Sequence, residues 1–534
     1  MSYLEKIIIK GFKKYTDYDV QFNHDMNVLI GENEAGKSTI IEAIDLVLNQ
    51  KFMSLMDSNN EQLFNLTNID KFKSNPVKEN LPEIDIELFL NLDSEPPIVK
   101  QNFLGLHYSG GESIQGNKTG IKFQYKFDKE FDNEFDNLDF SENQTIPLEL
   151  YKFEWLTFQG GSYKKQKNPL KALIIDNSSQ RTDLYGSYAK QIFESKIETN
   201  VRRTISYSLK QHMDSFVEKQ SKNLTLGNQS IGIDSKKTSI SRVIDIKENN
   251  ISLQNMGKGK ENIVKTEVAL QVNSNLVLVE EPENHLSHSN TRKLIEMIKQ
   301  GVNNSQMIIS THNPLVISRL NLRKTIWISD KNAISLEKID KKVADFFEKA
   351  DNLTLLEFIL SNKVILVEGA TEYIYIPEFY RKTFSKSIDE SGIHVISMSG
   401  IKYKNYVEIA KQISKKMLVI TDNDGNQERI DKICTSNKQF EEDNKKILIK
   451  CDTSVDKFTF EVSLYKENED KLINFKKDSK VTLEYKEKSL DSKALAYMLK
   501  NKTESAIEIC NDIELSDEIV VPKYIKEGLE WLEK

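Results

Sequence analysis

Short apolar runs recur along the chain, and each ends abruptly in glycine, acidic or other polar residues. Five runs share this form: Met26–Ile30, Leu276–Val279, Met307–Ile309, Val364–Val367 and Leu418–Ile420. Uninterrupted runs of Val, Ile and Leu are typical of strands that are buried on both faces of a parallel sheet. The pattern therefore predicts an α/β fold, in which the residues after these strands collect at the carboxyl edge of a sheet.

Carboxylates follow the last two of these runs. One run leads into Glu368 and Glu372, and the other leads into Asp422 and Asp424. The first two share a face if the chain turns helical after Gly369, and the second two share a face of an extended segment. Closely spaced carboxylates repel one another unless cations neutralise them. Two Mg²⁺ or Mn²⁺ ions here would make a phosphodiester-cleaving centre.

The Glu-Gly pair followed by Asp-Asn-Asp resembles the Toprim domain of topoisomerases, primases and certain nucleases. A polar turn is the alternative interpretation of the Asp-Asn-Asp triplet taken alone. The pairing of the triplet with a strand-terminal Glu-Gly at this spacing favours the Toprim interpretation.

A second site is predicted near the amino terminus. Gly31-Glu-Asn-Glu-Ala-Gly-Lys-Ser38 fits the P-loop pattern G-x-x-x-x-G-K-[ST], with a strand before it and an apolar helix after it. Backbone N–H groups of the loop would wrap the phosphates of ATP, Lys37 would reach the β and γ oxygens, and Ser38 would hold Mg²⁺. The residues expected to contact nucleotide are Gly31, Asn33, Gly36, Lys37, Ser38 and Thr39. A glycine turn with a chance lysine is the alternative, which the flanking strand and helix disfavour.

Further down the chain, Leu276–Val279 precedes Glu280 and Glu281 as in a Walker B strand. Glu280 would take the place of the acid that organises Mg²⁺, and Glu281 would polarise the attacking water. Met307–Pro314 resembles the switch strand of ABC-type ATPases, which places His312 near the γ-phosphate.

Ile251–Gly259 is similar to the ABC signature loop in a degenerate form, with Gly257 and Gly259 in place of the usual Ser-Gly-Gly. In this ATPase type the signature loop of one subunit completes the nucleotide site of the other. The resemblance therefore implies a homodimer, or a higher homo-oligomer, through the ATPase domains.

An ABC-type ATPase followed by a Toprim domain is the arrangement of the OLD (overcoming lysogenization defect) nucleases, which the sequence resembles over nearly its whole length. The resemblance implies an ATPase domain at 1–350, with a variable insertion or dimerisation arm at 51–241. It implies a Toprim domain with a Rossmann-like parallel sheet and a short helical carboxyl terminus at 351–534.

The same resemblance implies two more site residues. Lys457–Leu464 looks like the later acidic motif, which makes Glu461 a candidate metal ligand. Asn501–Ala506 resembles the terminal lysine motif, in which Lys502 would stabilise charge on the scissile phosphate. A solvated helix face is the alternative for both residues.

Three other segments carry predictions. Phe127–Asp136 has Phe at intervals of four among acids, which predicts a surface hairpin or short helix, or else a contact with a partner protein. Lys190–Val217 has helical spacing and predicts an arm that dimerises or faces DNA. Lys402, Lys404 and the tyrosines 403 and 406 either grip a phosphate backbone or form a charged surface loop.

Composition limits the class of protein. The 534 residues suffice for two or three domains, and the three cysteines form no C-x-x-C pair, which favours a reducing cytoplasm. No apolar run reaches the length of a membrane span, and the first residues lack the features of a signal peptide. The net charge of −7 argues against a general nucleic-acid coat but permits local basic surfaces.

Three functions compete at this point. The first is an ATP-controlled, metal-dependent endonuclease that cuts DNA in defence against phage, with a second defence protein left open as a partner. The second is a RecF-like recombination protein whose Toprim part only binds nucleic acid. The third, a Toprim strand-transfer enzyme, needs a nucleophilic tyrosine in a separate helical domain, for which too little chain follows the Toprim segment. The full sets of acids at both sites favour the nuclease.

Overall fold

The chain divides into two compact units, Met1–Ser335 and Leu336–Lys534. The computed structural model describes residues 1–51, 60–105, 108–109, 112–113, 117–141, 144–176, 187–220, 225–226, 229–230, 240, 243–271, 274–301, 305–349, 354–398, 400, 402–476 and 492–534. The domain joint that the sequence predicts near Asp351 lies outside these residues.

The first unit contains two six-stranded sheets, short two-stranded ribbons and helices. Its strands are β1 (Tyr3–Phe12), β2 (Tyr15–Gln21), β3 (Met26–Ile30), β4 (Ile84–Asn91), β5 (Leu104–Gly105), β6 (Tyr108–Ser109), β7 (Glu112–Ser113), β8 (Lys118–Phe127), β9 (Tyr151–Thr157), β10 (Ala172–Asp176), β11 (Thr225–Leu226), β12 (Gln229–Ser230), β13 (Lys247–Glu248), β14 (Ile251–Ser252), β15 (Leu276–Glu280), β16 (Gln306–Ser310), β17 (Thr325–Ile328) and β18 (Ala333–Ser335). Its helices are α1 (Lys37–Asn49), α2 (Leu66–Ser74), α3 (Pro97–Gln101), α4 (Asp132–Asp136), α5 (Ser187–Lys196), α6 (Thr199–Gln220), α7 (Lys258–Leu270), α8 (His288–Gly301) and α9 (Pro314–Arg319).

The sheet with the order β10-β15-β16-β3-β17-β18 is parallel except at its last strand. Its central strands β15, β16 and β3 are buried at every position, which explains their largely apolar sequences. The order places the carboxyl ends of β3, β16 and β15 side by side. The residues that follow these three strands therefore share one edge.

Helix α1 packs against both large sheets of this unit, because one hydrophobic cluster includes residues of all three layers. The cluster joins Ile7 and Ile86 of the antiparallel sheet, Ile44 of the helix, and Leu278 and Ile308 of the parallel sheet. The buried face of α1 is correspondingly wide, whereas Ser38 is exposed and Thr39 and Glu42 are partly exposed.

The antiparallel sheet has the order β2-β1-β4-β8-β5, and β9 also pairs with β8. Strands β4, β8, β9 and β10 lie inside the range 51–241 that the sequence predicts as an insertion, yet they belong to the two sheets. The long α6 is the part of this range that resembles an arm, since none of its described residues is buried. The segment Phe127–Asp136 ends in the short α4, whose Phe135 packs against Phe127.

The second unit is built on a four-stranded, wholly parallel sheet with the order β20-β19-β21-β22. Its strands are β19 (Lys363–Val367), β20 (Ile393–Ser397), β21 (Lys416–Ile420) and β22 (Ile447–Lys450). Its helices are α10 (Lys341–Lys349), α11 (Thr354–Leu360), α12 (Ala370–Phe384), α13 (Tyr403–Ile413), α14 (Gln427–Glu442), α15 (Phe460–Glu467), α16 (Glu469–Leu472), α17 (Lys493–Lys500), α18 (Lys502–Asn511), α19 (Ile513–Glu518) and α20 (Lys523–Glu533).

Strands alternate with helices here, so the parallel sheet is covered by helices, and the chain ends in four helices. The core of this unit joins β19 and β21 to α12, α15, α18 and α20 through residues such as Ile365, Leu418, Tyr380, Phe460 and Ile525. The predicted α/β class is confirmed in both units. Among the described residues, no helix is long and apolar enough to cross a membrane.

Candidate functional site

Adjacent strand ends bring the first two predicted acids together. Strands β19 and β21 pair in parallel with Val367 opposite Ile420, so Glu368 and Asp422 leave the sheet at the same edge. The Glu368 carboxylate accepts hydrogen bonds from the Thr421 hydroxyl at 2.9 Å and from the Asp422 backbone N–H at 3.0 Å. The Asp422 carboxylate accepts the backbone N–H of Phe460 at 2.8 Å. These bonds fix both groups to the backbone of neighbouring elements.

Two further acids enter from the first turns of helices. Glu372 is buried in the first turn of α12, and its carboxylate accepts the backbone N–H of Gly369 at 3.1 Å. Glu461 is 2% exposed in the first turn of α15, and it pairs with the ammonium group of Lys502 at 3.0 Å. The N-terminal turn of a helix stabilises a carboxylate through its unpaired N–H groups and its dipole. We call Glu368, Glu372, Asp422 and Glu461 the acidic cluster.

The carboxylates of the acidic cluster raise one another's pKa. Burial raises the pKa of Asp422 to about 8, and the charges of Glu372, Glu368 and Glu461 add to this increase. Burial also raises the pKa of Glu372, again with contributions from Glu461 and Glu368. Lys502 opposes the rise in the pKa of Asp422, and Arg429 lies 3.9 Å from Glu368, so two cationic groups face four carboxylates. The cluster therefore carries excess negative charge when it is ionised.

Asp424 does not join the acidic cluster, contrary to the prediction that it shares a face with Asp422. The strand ends at Ile420, and Asp424 has a φ of 53°, so this segment is not extended. The intervening Asn423 is buried, and its amide donates to the carbonyls of residues 452, 454 and 457 at 2.9, 2.9 and 3.2 Å. These bonds turn the chain, and the half-exposed Asp424 carboxylate pairs with Arg429 instead.

The acidic cluster offers a donor set that fits hard divalent cations, because all its ligand atoms are anionic oxygens. Among the residues that the structure describes, no three Asp, Glu, His or Cys side chains are grouped closely enough to hold one ion as they lie. Each carboxylate is turned toward a protein donor, namely a backbone N–H, a hydroxyl or Lys502. Each of these hydrogen bonds uses one carboxylate oxygen, and an ionised carboxylate has further acceptor sites, so the bonds are compatible with a bound cation.

A basic cleft of about 970 Å³ opens beside Glu368. Its walls carry four cationic side chains and three acidic ones: Lys402, Lys404, Arg429 and Lys432, and Glu368, Glu428 and Asp431. Arg429 reaches the floor of the cleft, where it donates to the Thr421 hydroxyl at 2.8 Å. Phosphate groups bound along these cations would lie next to the acidic cluster.

One residue predicted for a phosphate grip is placed elsewhere. Tyr406 is completely buried, and its ring packs against Phe347 and Phe358. The reason is that α13 begins at Tyr403, so Tyr406 turns onto the face of the helix that meets α10 and α11. Tyr403, by contrast, lines the cleft and is available for stacking.

The predicted P-loop lies between β3 and α1. Glycine is required twice, because a Cβ at residue 31 would meet the Ile328 carbonyl at 2.6 Å, and Gly36 has a φ of 98°. The Lys37 ammonium group donates to the carbonyls of Gly31 and Glu32, both at 2.9 Å, so the loop closes around it. Burial lowers the pKa of Lys37, while Glu281 and Glu283 act in the opposite direction. Ser38 and Asn33 are exposed, and Thr39 is partly exposed.

The neighbouring strands supply the acids of this site. Glu280 ends β15 as a buried residue, and Glu281 follows it with a φ of 43°. The Glu281 carboxylate contacts His312 Nδ1 at 3.2 Å and accepts the Asn284 amide at 2.6 Å. The structure thus brings Glu281, His312 and the environment of Lys37 together at one edge of the parallel sheet.

Gly257 and Gly259 stand at the start of α7. Gly257 precedes the helix in an open position, whereas a Cβ at residue 259 would meet the His285 carbonyl at 2.6 Å. The two glycines thus lie at the start of a helix, and their role as a signature loop stays a prediction.

Sequence reasoning missed four residues that shape these sites. Arg429 and Asn423 orient the Toprim acids, and Asn284 holds Glu281. Glu283 is buried, accepts the Thr311 hydroxyl at 2.5 Å, and has its pKa raised by burial. Asn423 lies between two predicted acids, and Asn284 lies shortly after Glu281. Their position as polar residues inside or beside an acidic motif is the sequence feature that could have indicated their role.

Comparisons with known families agree with this division. Residues 3–267 match the family described as AAA ATPase domain. Residues 251–318 match the family described as AAA domain, putative AbiEii toxin, Type IV TA system. Residues 359–424, which include Glu368 and Asp422, match the TOPRIM domain of overcoming lysogenization defect protein-like proteins.

The curated relatives that the chain matches are DNA replication and repair proteins RecF. The protein of Streptococcus thermophilus is 31% identical over 110 residues, which are 19% of this chain and 27% of that relative. The protein of Halalkalibacterium halodurans is 45% identical over 42 residues, which are 8% of this chain and 11% of that relative. The chain thus spans about a quarter or less of the length of these relatives.

Solved structures resemble the chain only loosely. A crystal structure of an Smc head bound to the C-winged helix domain of ScpA has 17% identity and a TM-score of 0.34, covering 63% of this chain and 99% of that one. A structure of the recombination mediator protein RecF has 10% identity and a TM-score of 0.31, covering 63% and 98%.

The family matches and the topology together fix the type of protein. An AAA ATPase domain precedes the TOPRIM domain along the chain. In its domain architecture, the chain matches the ATPase–Toprim arrangement of the OLD family.

Proposed function

We propose that the protein is an ATP-regulated endonuclease that cleaves DNA with two divalent cations, Mg²⁺ or Mn²⁺. The observation that carries this proposal is the acidic cluster beside Lys502 at the carboxyl edge of a parallel sheet. The cations would supply an activated water and stabilise charge at the phosphorus. The acidic cluster would hold them, and Asp424 would join if its carboxylate left Arg429.

Side chains of the protein would carry out the remaining steps of cleavage. Lys402, Lys404 and Lys432 would fix the phosphodiester backbone in the basic cleft, as point charges rather than planar forks. Lys502 would stabilise the extra negative charge that builds on the scissile phosphate as water attacks. The bond to the leaving oxygen breaks, and that oxygen takes up a proton as a hydroxyl.

ATP would bind at the other site. The P-loop backbone with Lys37 would hold its phosphates, Ser38 and Glu280 would organise Mg²⁺, and Glu281 would polarise the attacking water. The pairing of Glu281 with His312 and Asn284 supports this role, because an orienting contact keeps a base aimed at its proton. Gly257 and Gly259 would serve the site of a partner subunit, so the working ATPase would be a homodimer.

The setting of this activity follows from the family. A cytoplasmic nuclease of the OLD family would act in defence against phage, together with a second protein component. An enzyme of this kind must stay inactive on the DNA of its own cell, which gives the ATPase a regulatory purpose.

A RecF-like recombination protein is the second candidate, because the curated relatives are RecF proteins. In that case the second unit would bind nucleic acid without cutting it. A binding module, however, gains nothing from four mutually repelling, largely buried carboxylates, which cost folding free energy. The acidic cluster therefore favours the nuclease.

Supercoiled plasmid distinguishes the two candidates. The purified protein is incubated with plasmid and Mg²⁺ or Mn²⁺, with and without ATP, and EDTA serves as the control. The nuclease proposal expects nicked or linear plasmid only where the metal is present. Plasmid that stays supercoiled with both metals, but shifts in a gel because protein is bound, would favour the RecF-like alternative.

A further inference from the structure

A second basic cleft lies in the ATPase unit, far in the sequence from the Toprim residues. It has a volume of about 920 Å³ and lies at the foot of the long helix α6. Its cationic lining comes from three parts of the chain: Lys165 and Lys171 before β10, Lys190 in α5, and Arg202 and Arg203 in α6. We call it the arm-base cleft.

The arm-base cleft is distinct from the nucleotide site. Strands β10 and β15 pair in parallel from Ala172 opposite Leu276 to Asp176 opposite Glu280. The cleft is lined by Lys171 and Ser274, which precede these strands, whereas Glu280 stands at their carboxyl ends. The two edges of a five-residue strand are separated by roughly 15 Å. ATP in the P-loop therefore does not fill this cleft.

The charge of the arm-base cleft is strongly positive although the chain as a whole is acidic. Its lining carries five cationic side chains and one carboxylate, Glu194, which lies 3.9 Å from Lys190. Within the described part of the chain, no ion pair joins Lys165, Lys171 or Arg203 to an acid. Cations that gather without acidic partners repel one another, and a polyanion relieves that repulsion.

Unsatisfied polar atoms are a second, independent indication of a ligand. Among the described residues that line the cleft, Arg202 Nε and Gln191 Oε1 are buried and have no hydrogen-bond partner. A buried polar group without a partner costs about 1 to 3 kcal/mol, so such groups usually meet a ligand or water. An arginine donor beside lysine ammonium groups suits the oxygens of phosphate.

We infer that the arm-base cleft binds the phosphodiester backbone of a nucleic acid. The cations are spread over three elements along an open cleft, which suits successive phosphates better than one compact anion. The inference goes beyond the proposed function, because strand cleavage requires substrate only at the acidic cluster. A contact in the ATPase unit would make DNA a ligand of both units.

The test uses the full chain in EDTA, so that a labelled duplex is bound but not cut. The variant Lys165→Gln/Lys171→Gln/Arg203→Gln removes three exposed charges of the arm-base cleft and leaves the partly exposed Arg202 in place. Binding is measured by fluorescence anisotropy over a range of salt concentrations. We expect the slope of log K against log salt to fall by about 2 to 3, with roughly tenfold weaker binding, because each lost phosphate contact removes about 0.9 from the slope.

A matched control removes three exposed lysines of the same unit that lie outside the cleft, in Lys210→Gln/Lys219→Gln/Lys293→Gln. This variant has the same net charge, and we expect its slope to stay within about one unit of wild type. Equal losses of slope in the two triple variants would overturn the inference, since only total charge would then matter.

A small anion is the competing ligand. Binding of tripolyphosphate is measured by calorimetry with Lys37→Ala protein, in which the nucleotide site is impaired. We expect no saturable binding that depends on Lys171 and Arg203. Tight one-to-one binding that the triple cleft variant abolishes would show a small-ligand site instead and contradict the nucleic-acid inference.

Discussion

Both units end parallel strands in carboxylates, but they balance that charge differently. In the ATPase unit, Glu281 is held by His312 and Asn284, and the nearby Lys37 is enclosed by loop carbonyls. In the Toprim unit, Lys502 pairs with only one of the four carboxylates, Glu461, and the pKa of Asp422 rises to about 8 through burial and its acidic neighbours. The strand ends of the ATPase unit therefore suit a polyphosphate, and those of the Toprim unit suit cations. Charge balance, rather than the motif alone, distinguishes the two sites.

The largest expected effect on activity comes from the carboxyl edge of the Toprim sheet, which carries the acidic cluster and is called the Toprim edge below. The corresponding edge of the parallel sheet in the ATPase unit is called the ATPase edge. Asp422→Ala removes the carboxylate whose pKa is raised by the charges of all three other members of the acidic cluster. We expect plasmid cleavage to fall by roughly 10³-fold, the upper range for loss of one electrostatic contact in a centre of this kind. ATP binding, measured with a fluorescent nucleotide, should be unchanged. Wild-type cutting by this variant would break the assignment of the metal site.

At the ATPase edge, Glu281→Gln keeps the shape of the side chain but removes the base. We expect phosphate release to fall by roughly 10²-fold while ATP stays bound, because general-base catalysis contributes factors of this size. Glu296→Gln, on the surface of α8, is the matched control. Equal phosphate release by wild type and Glu281→Gln would contradict the role of Glu281.

The geometry of the Toprim edge depends on Asn423. Asn423→Ala leaves three carbonyls without their amide donor, so we expect the free energy of unfolding to drop by about 2 to 3 kcal/mol. Denaturant midpoints provide the measurement, and the exposed Asn511→Ala should change stability by less than about 0.5 kcal/mol. A loss no greater than that of the control would show that Asn423 does not fix the loop after β21.

The smallest effect is the coupling between the two edges. Since a ligand shifts an equilibrium only by its differential affinity, ATP should change cleavage by roughly 5- to 150-fold. We expect restraint by ATP, because a cell contains both DNA and ATP. ATP is titrated at fixed free Mg²⁺, which removes chelation as a cause. A flat response in wild type, like that expected of Lys37→Ala, would show that the sites are not coupled.

The sequence predicts the strand ends well, because buried parallel strands are apolar throughout and their acids stand out. The sequence predicts Glu368, Asp422 and Glu281 after strand ends in this way, and the structure places them there. The position of Asp424 was not predictable from alternation, since its turn depends on carbonyls about thirty residues away that bind Asn423. Tyr406 was misjudged because its burial depends on α10 and α11, which only the tertiary structure brings near. Strands β4, β8 and β9 carry charged residues and no nucleotide motif, so the sequence alone does not distinguish them from an insertion.

The acidic cluster as a cation site is the central claim, and Mn²⁺ binding tests it most directly. Electron paramagnetic resonance counts bound Mn²⁺ in the Lys37→Ala protein without nucleotide, so that the ATPase site does not contribute. The claim predicts two bound Mn²⁺ per chain, lost in Asp422→Ala and strongly weakened in Glu461→Gln. Unchanged Mn²⁺ binding after Asp422→Ala would contradict it, because the cations would then lie elsewhere.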